Sequence, residues 1–108
     1  MSHETVLMRE AVDALSIRED GCYVDATFGR GGHSQLILER LGANGRLIVF
    51  DKDPDAIEAA LQLKEADGRL QIAHAPFSEI EAQLEKMDVG SGVDGILLQK
   101  EEFAQVFN

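Results

Sequence analysis

The segment that most restricts the fold of this chain is Val24-Asp25-Ala26-Thr27-Phe28-Gly29-Arg30-Gly31-Gly32-His33-Ser34. It has the pattern of a buried strand that runs through a glycine-rich turn into the start of a helix. Glycine lets the backbone turn tightly and come close to a ligand, while the start of a helix offers N–H groups and the positive end of its dipole. This arrangement is typical of α/β proteins that bind a nucleotide-like cofactor.

Strand patterns recur at four places along the chain. Apolar runs at residues 22–27, 46–50 and 93–98 suit strands that are buried on both faces. Between the second and third of these runs, Leu70 and Ile72 alternate with polar residues as in a further strand. Strands buried on both faces are typical of parallel sheets, so the sequence predicts about four parallel strands.

Helical spacing of apolar residues fills the intervals between the predicted strands. Asp53 and Pro54 open one helix as its cap and its first residue, and Ser78 with Glu81 forms a capping box for the next. Strands that alternate with helices through short connections predict an α/β, Rossmann-like fold with helices on both faces of the sheet.

Polar and aromatic residues follow each predicted strand. Asp25, Asp51, Phe77 and Gln99 lie at or after the carboxyl ends of the four strands. Open parallel sheets bind ligands beyond these ends, near the point where the strand order reverses. The sequence therefore predicts one site that is assembled from four loops.

Two cofactor classes fit the glycine turn to different degrees. Gly29-Arg30-Gly31 followed by Ser34 only approximates G-x-G-x-x-G, because Ser34 stands where a dinucleotide site has its third glycine. S-adenosylmethionine has no pyrophosphate to cradle, and the Asp25 carboxylate suits its ammonium group or orders the N–H groups of the turn. The residues favour this methyl donor over NAD. A structural alternative is that Asp25 caps the turn and the glycines serve only a tight loop.

Three further residues are candidates for ligand contact. Asp51 lies 20 residues after Gly31, the spacing at which an acidic residue binds ribose hydroxyls, although it can instead serve the start of the next helix. Phe77 can lie against the face of an adenine or pack as a staple onto the following helix. His33 opens a helix and can offer its ring N–H or its backbone to the carboxylate of the ligand, or it can start the helix without one.

Composition restricts the partners of the chain. Its 108 residues suit one domain, and 10 basic against 20 acidic residues give a net charge of −10 that repels a polyanion such as nucleic acid. A lone cysteine, Cys22, excludes an internal disulfide and fits a reducing cytosol. His3 and His74 form no metal-binding pattern, and no segment reads as a signal peptide or membrane span. We therefore expect a cytoplasmic protein without a metal site.

Five segments together resemble the bacterial ribosomal RNA small subunit methyltransferase H family, also called MraW. The resemblance covers residues 3 to 98 and implies the sheet of class I methyltransferases, with an inserted helical domain. It further implies methyl transfer from S-adenosylmethionine to N4 of a cytidine in small-subunit ribosomal RNA, and cofactor contacts from Gly31, Gly32, His33, Asp51 and Phe77. The segments are His3-Glu4-Thr5-Val6-Leu7, the glycine segment 24–34, Asp51-Lys52-Asp53-Pro54, Pro76-Phe77-Ser78 and Val93-Asp94-Gly95-Ile96-Leu97-Leu98.

The resemblance ends at position 99. The family continues from Leu-Leu into Asp-Leu-Gly-Val-Ser-Ser, whereas this chain has Gln99 and the unrelated residues 100–108. We therefore divide the chain into residues 1–98, the N-terminal part of a class I methyltransferase domain, and a non-family tail, residues 99–108. We expect a truncated form with little or no activity alone, whose exposed sheet edge favours self-association. The alternative is a non-catalytic binding or interaction module that uses the cofactor half-site or the sheet edge.

Overall fold

The computed structural model describes residues 3–26, 28–29, 31–89 and 92–98, with residues 3–7 described by their backbone alone. Helices and strands alternate along the chain, as their sequence patterns predict. The helices are α1 (His3–Ala14), α2 (Gly32–Arg40), α3 (Pro54–Ala66) and α4 (Ile80–Lys86), and the strands are β1 (Cys22–Asp25), β2 (Arg46–Asp51), β3 (Leu70–His74) and β4 (Gly95–Leu97).

The four strands form one parallel sheet in the order β3-β2-β1-β4. The chain moves outward from β1 through β2 to β3, and then returns to place β4 on the other side of β1. The strand order therefore reverses at β1, next to the glycine turn that follows this strand. The predicted Rossmann-like half-sheet of four parallel strands is confirmed.

Alternate side chains of the strands enter two separate hydrophobic clusters. Tyr23 and Leu47 pack with residues of α1, α2 and α3, whereas their neighbours Val24 and Ile48 pack with residues of α4. Successive side chains of a strand point to opposite faces, so each apolar run is buried on both sides of the sheet. This explains why the strands read as continuous apolar runs, and it confirms helices on both faces.

Asp94 holds the start of β4 against β1. Its carboxylate accepts hydrogen bonds from the backbone N–H of Cys22 at 2.9 Å and from Nη2 of Arg18 at 3.2 Å, and its own N–H donates to the carbonyl of Cys22 at 2.7 Å. Cys22 is partly buried here, and burial raises the pKa of its thiol, against the opposing effect of Arg46. The thiol therefore stays protonated at neutral pH, as expected of a small apolar side chain.

Three predicted features differ from the structure. The strands predicted at residues 22–27 and 93–98 are shorter, Cys22–Asp25 and Gly95–Leu97. The capping box of Ser78 and Glu81 is wrong, because a 3₁₀ turn, Phe77–Glu79, precedes α4 and no side chain caps that helix. The N–H of Glu79 donates instead to the carbonyl of Pro76 at 3.0 Å, so the backbone of the tight turn takes the place of the cap.

The described part of the chain contains no helix that is long and apolar enough to cross a membrane. β4 lies at one edge of the sheet, and the side chain of Ile96 on this strand is 40% exposed. An edge strand with an exposed apolar side chain is a template for pairing with another chain. Self-association through this edge stays a prediction, and the tail at residues 99–108 lies outside the described residues.

The position of β2 between β1 and β3 predicts the outcome of a core substitution. Ile48 is fully buried, so Ile48→Val removes one methylene from the core and lowers the free energy of unfolding by about 1 kcal/mol in urea denaturation. Leu61→Ala serves as the control, because Leu61 is 51% exposed, and we expect a change within about 0.5 kcal/mol. Equal losses in both variants would contradict the central place of β2.

Candidate functional site

The turn between β1 and α2 depends on left-handed backbone conformations. Gly29 has φ 53° and Gly31 has φ 90°, a region that glycine adopts without steric cost. The N–H of Gly31 donates to the carbonyl of Phe28 at 2.7 Å, and the N–H of Gln35 donates to the carbonyl of Gly31 at 2.9 Å to begin the helix. α2 thus presents the N–H groups of its first turn at the carboxyl end of the sheet.

Side chains from two sides fill the space around the turn. A Cβ atom added at Gly31 would lie 3.1 Å from Cζ of Phe28, and one added at Gly32 would lie 2.6 Å from Sδ of Met8. Position 31 therefore needs glycine because of its backbone conformation, whereas a side chain at position 32 would require the flexible end of Met8 to move. The turn lies between the sheet and the first helix.

Asp25 and Ser34 join the two ends of the turn. The hydroxyl Oγ of Ser34 donates to Oδ2 of Asp25 at 2.5 Å, and both side chains are fully buried. Sequence reasoning left two roles for Asp25, a direct ion pair with a ligand or the ordering of the turn. Because its carboxylate has no solvent exposure and binds a residue of α2, the structure favours the ordering role.

A cavity of about 630 Å³ opens at the carboxyl ends of β1, β2 and β3. Its volume lies within the range of small-molecule and cofactor sites. One side is apolar and built largely from alanines and phenylalanines, and the other carries carboxylates. The lining residues are Ala26, Gly29, Phe50, Asp51, Lys52, Asp53, Asp55, Ala56, Ala59, Ala75, Pro76 and Phe77.

The acidic side of the cavity is ordered by a chain of side-chain to backbone hydrogen bonds. Oδ1 of Asp51, the last residue of β2, accepts the N–H of Asp53 at 2.9 Å, and Oδ1 of Asp53 accepts the N–H of Asp55 at 2.9 Å. Asp53 is the N-cap of α3, as predicted. Asp51 both orders the approach to the helix and lines the cavity, so the two roles considered for it are compatible.

The apolar side of the cavity carries two aromatic rings. Phe77 lies edge-on to Phe50, with ring centroids 6.4 Å apart and an interplanar angle of 76°. Phe77 is partly buried and packs against the cluster on the α4 face, as a staple would. Its ring also lines the cavity, so packing against the core and contact with a flat ligand are both open to it.

The structure brings only part of the predicted site together. Asp51 and Phe77 line the same cavity, and the glycine turn reaches it through Gly29. Gly31, the N-cap of α2, lies outside the lining, as do Gly32 and His33 in the first turn of this helix. Gln99 lies outside the described residues. No group of three potential metal ligands occurs among the residues that the structure describes.

Sequence reasoning missed several residues of the cavity. In the sequence, Phe50 is one more apolar residue of a buried strand. Alternation along β2 places its side chain on the face of the sheet opposite to that of Val49. Ala56 and Ala59 lie three residues apart on α3, a spacing that puts both on one face, but alanines carry no chemical signal. The helical spacing of small residues after Asp51 is the pattern that predicts an open space there.

Comparison of the sequence with known families gives one assignment. The model of the MraW methylase family matches residues 1–99. The chain is 58% identical over 96 residues to a protein of Chromobacterium violaceum named ribosomal RNA small subunit methyltransferase H, covering 89% of this chain and 30% of that protein. A protein of the same name from Neisseria meningitidis is 59% identical over 95 residues, with 88% and 29% covered. The chain thus spans about 30% of the length of these relatives.

Comparison of the structure gives the same fold class. An S-adenosylmethionine-dependent O-methyltransferase from Thermotoga maritima superposes with a TM-score of 0.60 at 18% sequence identity, covering 68% of this chain and 29% of that chain. At this level of identity the likeness concerns the fold alone, and it agrees with the Rossmann-like sheet described above.

The left-handed turn predicts different costs for two glycine substitutions. Gly31→Ala forces a side chain into φ 90° beside Phe28 and lowers the free energy of unfolding by about 1–3 kcal/mol. Gly68→Ala is the matched control, because nothing lies within 4 Å of the added Cβ atom, and we expect no loss of stability there. Urea denaturation measures both, and a loss at residue 68 as large as at residue 31 would contradict the strained turn.

Proposed function

The chain belongs to the MraW methylase family, and on that premise we propose that residues 1–98 are the N-terminal, S-adenosylmethionine-binding part of a class I methyltransferase. The proposed reaction is methylation of N4 of a cytidine in small-subunit ribosomal RNA. The observation that carries the proposal is the cavity at the carboxyl ends of the strands, which combines a glycine turn, a carboxylate and an aromatic wall. Residues 99–108 form a separate tail in this proposal.

The cavity suits the adenosine half of this cofactor. Asp51 stands at the end of β2, and its Oδ2 has no hydrogen-bond partner among the described residues, so it can accept hydrogen bonds from ribose hydroxyls. Phe77 and Phe50 offer an apolar wall for the face of an adenine. Ala56 and Ala59 leave the volume that a purine needs.

The start of α2 suits the amino-acid half. Gly31, Gly32 and His33 stand at the positive end of the helix dipole, which favours the carboxylate of a ligand. The bound cofactor supplies an electrophilic methyl group on its sulfonium. The role of this chain is to bind the cofactor and orient its methyl group, with the cavity on one side and the start of α2 on the other.

The charge of the cavity supports this cofactor over a dinucleotide. The carboxylates of Asp51, Asp53 and Asp55 line the cavity, and Lys52 contributes the positive charge there. The negative charge of this wall disfavours a pyrophosphate at the neighbouring glycine turn, whereas the ammonium and sulfonium groups of S-adenosylmethionine carry the opposite sign. Ser34 in place of a third glycine agrees with this preference.

We propose further that these 108 residues alone bind the cofactor with little or no methyl transfer. Transfer to an exocyclic amine needs a site that holds the base out of its stack and aligns its nitrogen on the methyl group. The relatives are about three times as long as the matched segment, and the net charge of −10 opposes binding of RNA by this segment. The RNA-binding part of the activity therefore belongs to the remaining length of the relatives.

Isothermal titration calorimetry tests the proposed cofactor. We expect the chain to bind S-adenosylmethionine and S-adenosylhomocysteine and not NAD. Asp51→Asn weakens binding about tenfold because the amide accepts hydrogen bonds less strongly than a carboxylate, whereas Glu58→Gln on the exposed face of α3 leaves it unchanged. A folded chain that prefers NAD would contradict the proposal, and one that binds none of these nucleotides would favour an interaction module.

A methyl-transfer assay tests the division of activity. Small ribosomal subunits that lack the modification are incubated with the 108-residue chain and S-adenosylmethionine that carries a labelled methyl group. We expect no label in the RNA, because the base-holding part is contributed by residues outside the matched segment. The Chromobacterium violaceum relative is the positive control, and clear turnover by the 108-residue chain would contradict the division.

A further inference from the structure

We infer that Ser34 is a positioning residue for the cofactor turn, which acts through its buried hydrogen bond to Asp25 and not by touching the ligand. The inference rests on the proposed cofactor site. The bond joins the last residue of β1 to the third residue of α2, and the whole glycine turn lies between these two points.

The environment of the bond makes it directional and strong. Oγ of Ser34 lies 2.5 Å from Oδ2 of Asp25, at the short end of the range for a hydroxyl that donates to a carboxylate. Both side chains are fully buried, so water cannot replace either partner. A buried carboxylate that loses a donor pays a desolvation cost, and this favours conformations that keep α2 next to β1.

The apolar packing contacts of the turn lack this directionality. Met8 and Phe28 pack against the glycines through apolar atoms, which resist compression but do not select one orientation of the helix start. The hydrogen bond does select one, because it fixes the distance and the angle between a side chain of the strand and a side chain of the helix. Gly31, Gly32 and His33 are held between its ends.

Ser34 therefore keeps helix and strand at a set distance, whereas a third glycine would let them come into contact. In a dinucleotide fingerprint the third glycine lets helix and strand come into close contact. Here the Ser34 side chain lies between α2 and β1 and sets their separation through the carboxylate of Asp25. The height of the helix start above the sheet, and with it the place of the amino-acid half of the cofactor, follows from this pair.

Binding and stability measurements on the full 108-residue chain separate positioning from general destabilisation. Ser34→Ala is compared with Leu70→Ala, a core variant at the start of β3, at the end of the sheet opposite the cavity. We expect Ser34→Ala to weaken S-adenosylhomocysteine binding about tenfold in calorimetry, Leu70→Ala to bind as the unchanged chain does, and Ser34→Thr, which keeps the hydroxyl, to recover most of the affinity. Equal losses for Ser34→Ala and Leu70→Ala, at matched stability in urea, would overturn the inference.

Hydrogen exchange gives a readout that needs no ligand. The amide of Gly31 donates to Phe28, and that of Gln35 donates to Gly31, so both report the turn, while the amide of Leu47 donates to Arg69 and reports the sheet. Ser34→Ala should speed exchange of the first two about tenfold and leave Leu47 unchanged. Unchanged exchange in the turn overturns the inference even where cofactor binds. Failure of the unchanged chain to bind S-adenosylhomocysteine, with faster exchange in Ser34→Ala, contradicts the proposed function alone.

Discussion

Burial of β1 on both faces is the constraint on which the rest of the structure depends. This strand pairs with β2 on one side and with β4 on the other, and its side chains alternate between the two hydrophobic clusters. It cannot shift along its neighbours without moving apolar side chains out of both clusters at once. The residues that follow it therefore start from a fixed point at the reversal of the strand order. This fixed point determines where the glycine turn, the start of α2 and the cavity lie.

The negative charge of the chain restricts what its cavity and its surface can bind. The cavity is rimmed with carboxylates and suits a small ligand that carries positive charge, and the chain as a whole has a net charge of −10. The same excess of negative charge opposes an RNA surface. A protein that binds both such a ligand and RNA needs basic surface elsewhere, and the additional length of the family relatives has room for it. A cofactor site and a nucleic-acid site with opposite electrostatic needs are easier to build on different segments of a chain.

Much of this fold could be predicted from sequence because the strands are buried on both faces and read as apolar runs. The cap at Asp53 was equally visible, since a short acidic side chain before proline marks a helix start. The 3₁₀ turn at Phe77–Glu79 was not, because Ser78 has the right spacing for a capping box and only the backbone bond from Glu79 to Pro76 decides against it. Phe50 was missed for a different reason. Alternation assigns a side chain to a face of the sheet, but the place where that face opens into a cavity depends on neighbouring helices.

The contact of Met8 with Gly32 has a consequence for how such sequences can vary. Sδ of Met8 occupies the space that a side chain at position 32 would need, so a larger residue at position 32 requires the Met8 side chain to move aside or to be replaced by a smaller one. The two positions lie 24 residues apart, on different helices. Their volumes should therefore vary in a compensating way among related chains, and a substitution that is harmful at one position becomes acceptable in a background altered at the other. We therefore expect substitutions in the first helix and in the glycine turn to be coupled through these two positions.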